Sequence, residues 1–214
     1  GFGNMHYSRN FHTFDLHDGT WRTLGGFTGD TLCPRYFSSV GYLKENNSVY
    51  VFGGMGNESG EQVVGRYYFY DLHRVDLTTK RVTRLWEIPW DKGNVVPVRG
   101  MVIPDDKCFY TLCYPESRSD SFLRLYRFSI ADGSYEILGD SIPIHSDKIT
   151  TNANLYYDEQ LNDLFATVQE FDDDIVSDMK VYALAFPPIT AEDLADWPGT
   201  RGRNLKYALI LLGC

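Results

Sequence analysis

Residues 33–88 read CPRYFSSVGYLKENNSVYVFGGMGNESGEQVVGRYYFYDLHRVDLTTKRVTRLWEI. Four runs rich in Val, Tyr, Phe and Leu lie inside this stretch, roughly over residues 37–43, 49–52, 67–77 and 81–88. Turn residues separate them: Asn46-Asn47, Gly53-Gly54 and Thr78-Thr79. β-Branched and aromatic residues fit a pleated, half-buried surface, and Gly, Asn and Ser supply the reversals between them. The stretch therefore predicts four short antiparallel strands that form one sheet in chain order.

The same register recurs on both sides. Phe14-Asp-Leu16-His-Asp-Gly-Thr-Trp21-Arg-Thr-Leu24 aligns with Val75-Asp-Leu77-Thr-Thr-Lys-Arg-Val82-Thr-Arg-Leu85 and with Phe128-Ser-Ile130-Ala-Asp-Gly-Ser-Tyr135-Glu-Ile-Leu138. Each copy shows apolar, polar, apolar, four turn residues and a large apolar residue, then ends on Leu. The anchors Phe14, Val75 and Phe128 are 61 and 53 residues apart. In two copies the turn is Asp18-Gly19 or Asp132-Gly133, a dipeptide suited to φ > 0. The first two strands repeat as 98–103 with 108–114, and again as 150–157 with 163–168. Leu184, 56 residues after Phe128, marks a further third strand over 179–186. Pro187-Pro188 ends that unit, because proline cannot donate to a ladder. A self-similar unit of four strands every fifty to sixty residues is the signature of a β-propeller. The expected fold is all-β, an incomplete propeller ring of four-stranded antiparallel blades over 1–188. It comprises half a blade (1–24), blades 33–88 and 98–143, and a three-strand blade 148–187. Two whole blades do not close a ring, so the chain reads as part of a larger propeller.

Residues 189–204 read as a linker that opens on a helix start, with Thr190 as N-cap and Glu192 and Asp193 in its first turn. Residues 205–214, LKYALILLGC, form an apolar run. It is read as either the start of a transmembrane helix, which needs about twenty such residues, or a buried strand of a following module. Arg201, Arg203 and Lys206 flank it, charges that prefer the cytoplasmic side of a span.

The 214 residues carry 29 Asp and Glu against 20 Lys and Arg, a formal net charge of −9, which argues against a nucleic-acid partner. The four cysteines, Cys33, Cys108, Cys113 and Cys214, show no C-x-x-C pair, and the histidines are too scattered for a zinc pattern. Cys108 and Cys113 are five apart on one expected strand, so alternation sends them to opposite faces. No metal site and no cofactor are expected. Asn46 and Asn57 begin N-x-S sequons that matter only in a secreted protein.

The segment Pro34-Arg35-Tyr36-Phe37-Ser38-Ser39, the run Val49-Tyr-Val-Phe-Gly53-Gly54, Tyr70-Asp71 and the region of Trp86 together resemble a kelch repeat. The other blades lack the double glycine, with Cys113-Tyr114 and Gln169-Glu170 in its place. The resemblance implies a kelch or galactose-oxidase-like propeller that binds a protein or a small molecule, carbohydrate included, through loops at one face. A propeller, a short linker and an apolar run also resemble the periplasmic sensor half of Bacteroidetes-type signalling receptors. That resemblance implies a non-catalytic sensor portion of a membrane-attached receptor, outside the cytoplasm. The alternatives are a propeller enzyme of galactose-oxidase type and an intracellular kelch interaction module.

Among individual residues, Gly53 and Gly54 are expected to serve positive φ or close backbone approach. Trp21 and Tyr135 mark the outer-strand aromatic position of their blades and read as structural. Arg35 and Arg99 each open a blade at its innermost strand. There they either face the central channel and bind a carboxylate or sulfate, or pair with Asp or a backbone carbonyl and tether blades. Asp172-Asp173-Asp174 reads as a solvated hairpin tip, and no G-x-S-x-G elbow occurs. His12 and His73 share one repeat position, which suggests a structural role.

Overall fold

The computed structural model describes residues 2–145, 152–171, 176–190 and 192–193. Two hairpins open the chain: β1 (Phe2–Gly3) pairs with β2 (His6–Tyr7), and β3 (Phe11–Phe14) with β4 (Trp21–Leu24). A six-stranded sheet follows, made of β5 (Thr28–Gly29), β6 (Arg35–Tyr36), β7 (Ser39–Leu43), β8 (Ser48–Gly56), β9 (Tyr67–Asp76) and β10 (Arg81–Glu87). Strands β7 to β10 form an antiparallel meander in chain order, and β5 adds in parallel along β10. The next sheet orders β11 (Val96–Pro97), β12 (Cys108–Tyr114), β13 (Asp120–Ser129) and β14 (Tyr135–His145). The last contains β15 (Asn152–Asp158), β16 (Asp163–Phe171) and β17 (Ser177–Ala185). The fold is thus all-β, a succession of antiparallel sheets in the manner of an incomplete propeller. The turn glycines behave as their dipeptides demand, with φ of 68° at Gly19 and 76° at Gly133.

Two innermost strands differ from expectation for the same kind of reason. Strand β8 does not end at the double glycine but runs through it to Gly56. A bulge between Phe52 and Gly54 shifts the β8–β9 register there. Opposite that bulge the innermost strand breaks at Phe37, which has φ of 55°, into β6 and β7. A Cβ on Gly54, whose φ is 96°, would lie 2.6 Å from the Tyr36 carbonyl oxygen and 2.7 Å from Ser38 Oγ. The glycine is required by crowding as well as by conformation.

The strand expected over 98–103 is likewise discontinuous. Only β11 and an isolated bridge from Val102 to Tyr110 pair with β12. Between them the backbone turns sideways to the preceding sheet. Val40 N donates to the Arg99 carbonyl at 2.9 Å, and Met101 N donates to the Val40 carbonyl at 3.2 Å. Ser39 Oγ donates to the Gly100 carbonyl at 2.9 Å. The backbone groups that would have completed the ladder are satisfied between sheets instead.

Each interface between successive sheets holds its own apolar layer, as alternation along the strands dictates. Val51, Val75 and Val82 meet Leu32, Phe11 and Phe27 on one side of the six-stranded sheet. Phe52, Leu72 and Trp86 meet Phe109, Phe128 and Ile130 on the other. Val82 and Trp86 would share a face in an unbroken strand; the register shift between Arg84 and Trp86 sends them to opposite layers. Trp86 Nε1 donates to the Ile130 carbonyl at 2.9 Å and so ties the two sheets together. A third layer, with Leu112, Leu125, Leu155 and Leu164, joins the last two sheets. Beyond β17 the chain doubles back: Gly139 N donates to the Ile189 carbonyl, and Thr190 bridges Leu138 of β14. Thr190 and Asp193 cap each other reciprocally, side chain to backbone N–H, at 3.0 and 3.2 Å.

Trp21 does not pack as a structural anchor. It is 72% exposed and touches Phe14, itself exposed, because no described sheet covers that face of the β3–β4 hairpin. Met179 and Val181 are exposed on the far face of the last sheet. Tyr135, by contrast, sits among Trp90, Tyr126 and Phe128 with ring centroids 5.1 to 5.8 Å apart. Cys108 and Cys113 point to different layers, and with Cys33 they are free thiols. Residues 146–151 at the start of the last blade, the acidic tip 172–174, the linker beyond 193 and the apolar run 205–214 lie outside the described residues.

Candidate ligand-binding cleft

A wide cavity lies where the innermost strands of three successive sheets come together. Its volume is about 880 Å³, and Arg35, Arg99 and Asn152 contribute to its wall from the three sheets in turn. Arg9 and Asn10 close it from the segment between β2 and β3. That volume is in the range of small-molecule sites. The sideways hydrogen bonding of Arg99 to Met101 with β7 fixes the spacing of two of these walls.

The two arginines singled out by the repeat share this cavity but not a chemical state. Arg35 is 3% exposed. Its guanidinium donates to Asp71 Oδ1 and Oδ2 at 2.6 and 3.0 Å, to the Gly53 carbonyl at 3.1 Å and to the Cys33 carbonyl at 3.2 Å. The ring of Phe69 lies 4.1 Å from its Cζ. The pairing is with an aspartate of its own sheet rather than of a neighbouring blade, so it fastens β6 to β8 and β9. Its charge is neutralised in place. Arg99 is exposed and donates a long hydrogen bond, 3.5 Å, to Asn152 Oδ1. No carboxylate pairs with it among the described residues.

The remaining wall is apolar or hydroxylic. The rings of Phe37 and Tyr36 meet at a tilt of 45° with centroids 4.7 Å apart, and Val40 is 46% exposed. Ser38 contributes to the lining, but its Oγ is buried against Gly54 and has no hydrogen-bond partner. Tyr114 closes the floor; burial pushes its pKa up, the Glu116 charge adds to that, and Arg99 pulls it back. At neutral pH the Tyr36 and Tyr114 hydroxyls are therefore neutral. No Asp or Glu contributes to this wall among the described residues.

A second cluster escaped the sequence reading. Glu116 is buried, and its Oε1 accepts from Tyr68 Oη and stands 3.7 Å from Arg66 Nη2. Arg66 Nη1 donates to Tyr36 Oη at 3.3 Å, which links this network to the cavity wall. Burial first, and the hydrogen bond to Glu116 second, push the Tyr68 pKa up to about 12. Glu116 follows a proline in a loop after β12, and no local pattern marks it. His73 is also buried, 3.6 Å from Asp71, and neither ring nitrogen has a hydrogen-bond partner. Burial pushes its pKa down, against the opposing pull of Asp71. Asn57 is buried with its amide held by the Glu61 and Gly65 carbonyls, which closes that sequon to glycosylation.

Among the described residues no three His, Cys, Asp or Glu side chains converge as a metal site. Among them too, no helix is long and apolar enough to cross a membrane. The chain matches no protein-family model and no curated protein.

Proposed function

We propose that this chain is the binding part of a kelch-like β-propeller, a non-catalytic module that takes its ligand in the cleft between the innermost strands. The observation that carries this reading is the cleft itself. It is built from three sheets, lined by partly exposed aromatic and aliphatic side chains, and holds a cationic group with no carboxylate partner among the described residues. Sites with an apolar wall and a few convergent polar groups are the common form of small-molecule recognition. The double glycine and Trp86, which carry the kelch resemblance, work here as a bulge and as a bond between sheets. We read the module as the sensor portion of a membrane-attached receptor, on the strength of the apolar run 205–214.

The binding reading is tested by thermal-shift screening of the chain against small acids, neutral sugars and short peptides, followed by titration of each hit. Val40→Glu places a carboxylate on an exposed part of the cleft wall and should abolish binding of any hit without lowering stability. Hits that bind the variant and the parent chain alike would place the site elsewhere. The membrane reading requires about twenty apolar residues from Leu205 onward; a continuation that turns polar within a few positions removes it.

A further inference from the structure

We infer that the ligand of this cleft is an organic anion with an apolar body, its charged head held by Arg99 and Arg9. The inference rests on the cleft being a binding site and adds the chemistry of its occupant. The chain is acidic overall, with 29 Asp and Glu against 20 Lys and Arg. Yet three arginines and no acid line the cavity among the described residues. One of the three, Arg35, is neutralised by Asp71, which leaves Arg9 and Arg99, both exposed, to set the sign of the site. A carboxylate or sulfonate is the natural complement to a guanidinium, since two of its oxygens match the planar fork.

The polar groups that line the cavity beside these arginines are neutral rather than anionic. The Asn152 amide oxygen already faces Arg99 at 3.5 Å and orients it. A small inorganic ion would satisfy the arginines but leave Phe37, Val40 and Phe11 facing water. These side chains contribute to the same wall and would cover an apolar body attached to the charged head. A neutral ligand would leave both exposed guanidinium groups to water and draw nothing from their charge.

The test is a titration of the whole chain with three matched probes, followed by calorimetry or ligand-observed NMR. They are 2-naphthoate, 2-naphthylmethanol and acetate, which carry charge with body, body alone and charge alone. Binding of 2-naphthoate should be at least tenfold tighter than that of either other probe. Arg99→Gln should weaken it by about tenfold to a hundredfold, the loss of one charge-assisted hydrogen-bonded contact. Arg99→Lys should fall between the two, and neither variant should shift the urea midpoint, because the side chain is exposed. Equal binding of the alcohol, unchanged in Arg99→Gln, would overturn the anion while leaving the cleft as a site. Failure of both naphthyl probes, alongside a different ligand that Val40→Glu excludes, would do the same. If 2-naphthoate binds but is indifferent to both Arg99→Gln and Val40→Glu, the inference and the site fall together.

Discussion

Replacing Asp71 by Asn should destabilise the protein by about 3–5 kcal/mol, because it leaves the Arg35 guanidinium buried beside a neutral group. The side chains of Arg35 and Asp71 are 4% and 5% exposed, so water screens neither charge. The amide keeps the shape of the carboxylate and one acceptor, but the charge is lost and the second acceptor becomes a donor facing an Arg35 N–H. A domain of ordinary stability has about 5–15 kcal/mol in hand, so this one change takes a large share of it. Arg35→Met should cost a similar about 3–5 kcal/mol, since it strands the Asp71 carboxylate and removes the donor from the Gly53 and Cys33 carbonyls. The double variant Arg35→Met/Asp71→Asn removes both charges together. Its loss should fall short of the sum of the single losses by about 2 kcal/mol or more, the coupling of two groups in direct contact. Urea unfolding at neutral pH measures all four corners of the cycle, provided that the m-values agree. A loss under about 1 kcal/mol for Asp71→Asn, the scale of an exposed pair, would refute the reasoning. So would a double variant that shows simple additivity.

Burial holds the folded His73 below its ordinary pKa, so the unfolded chain takes up the proton first. Stability should be full above about pH 6.5 and fall as the pH drops through that value toward the folded pKa, and His73→Leu should flatten the slope of the urea midpoint in that window. Gly100→Ala should lower Tm, by about 2–4 °C for each kcal/mol of overpacking, since its Cβ would meet Asn154 Oδ1 at 2.2 Å and the Leu155 carbonyl oxygen at 2.3 Å; an unchanged Tm would mean that the innermost strands are farther apart than described. Trp21 is 72% and Trp86 9% exposed, so Trp21→Phe should remove more iodide-quenchable fluorescence than Trp86→Phe does.

The all-β class was legible in the sequence because each cue was local. The alternation of Val, Tyr and Phe, the Asp-Gly turns and the Phe14, Val75 and Phe128 anchors all act within one hairpin, where period and turn chemistry dictate structure. Strands β12 and β16 begin where that alternation places them, at Cys108 and Asp163. The innermost strands were not legible in the same way. Residues 98–103 have the composition of a strand, but the backbone of Arg99 and Met101 bonds to Val40 of β7, some sixty residues earlier, and no local pattern records it. The double glycine announced a special backbone position; that it bends a strand rather than ending one depends on the Tyr36 carbonyl and Ser38 that face it.

For the cleft the division is sharper. The repeat alone determined that Arg35 and Arg99 stand at the start of neighbouring blades, because register is a property of spacing. Only the tertiary structure decided that they differ. Asp71 and the Gly53 carbonyl converge on Arg35 from two other strands, while Arg99 meets an amide and no carboxylate among the described residues. Glu116, Tyr68 and Arg66 likewise come together from two sheets. Whether a guanidinium is spent or available is set by what lies across the sheet from it, and that is a matter of distance in space rather than along the chain.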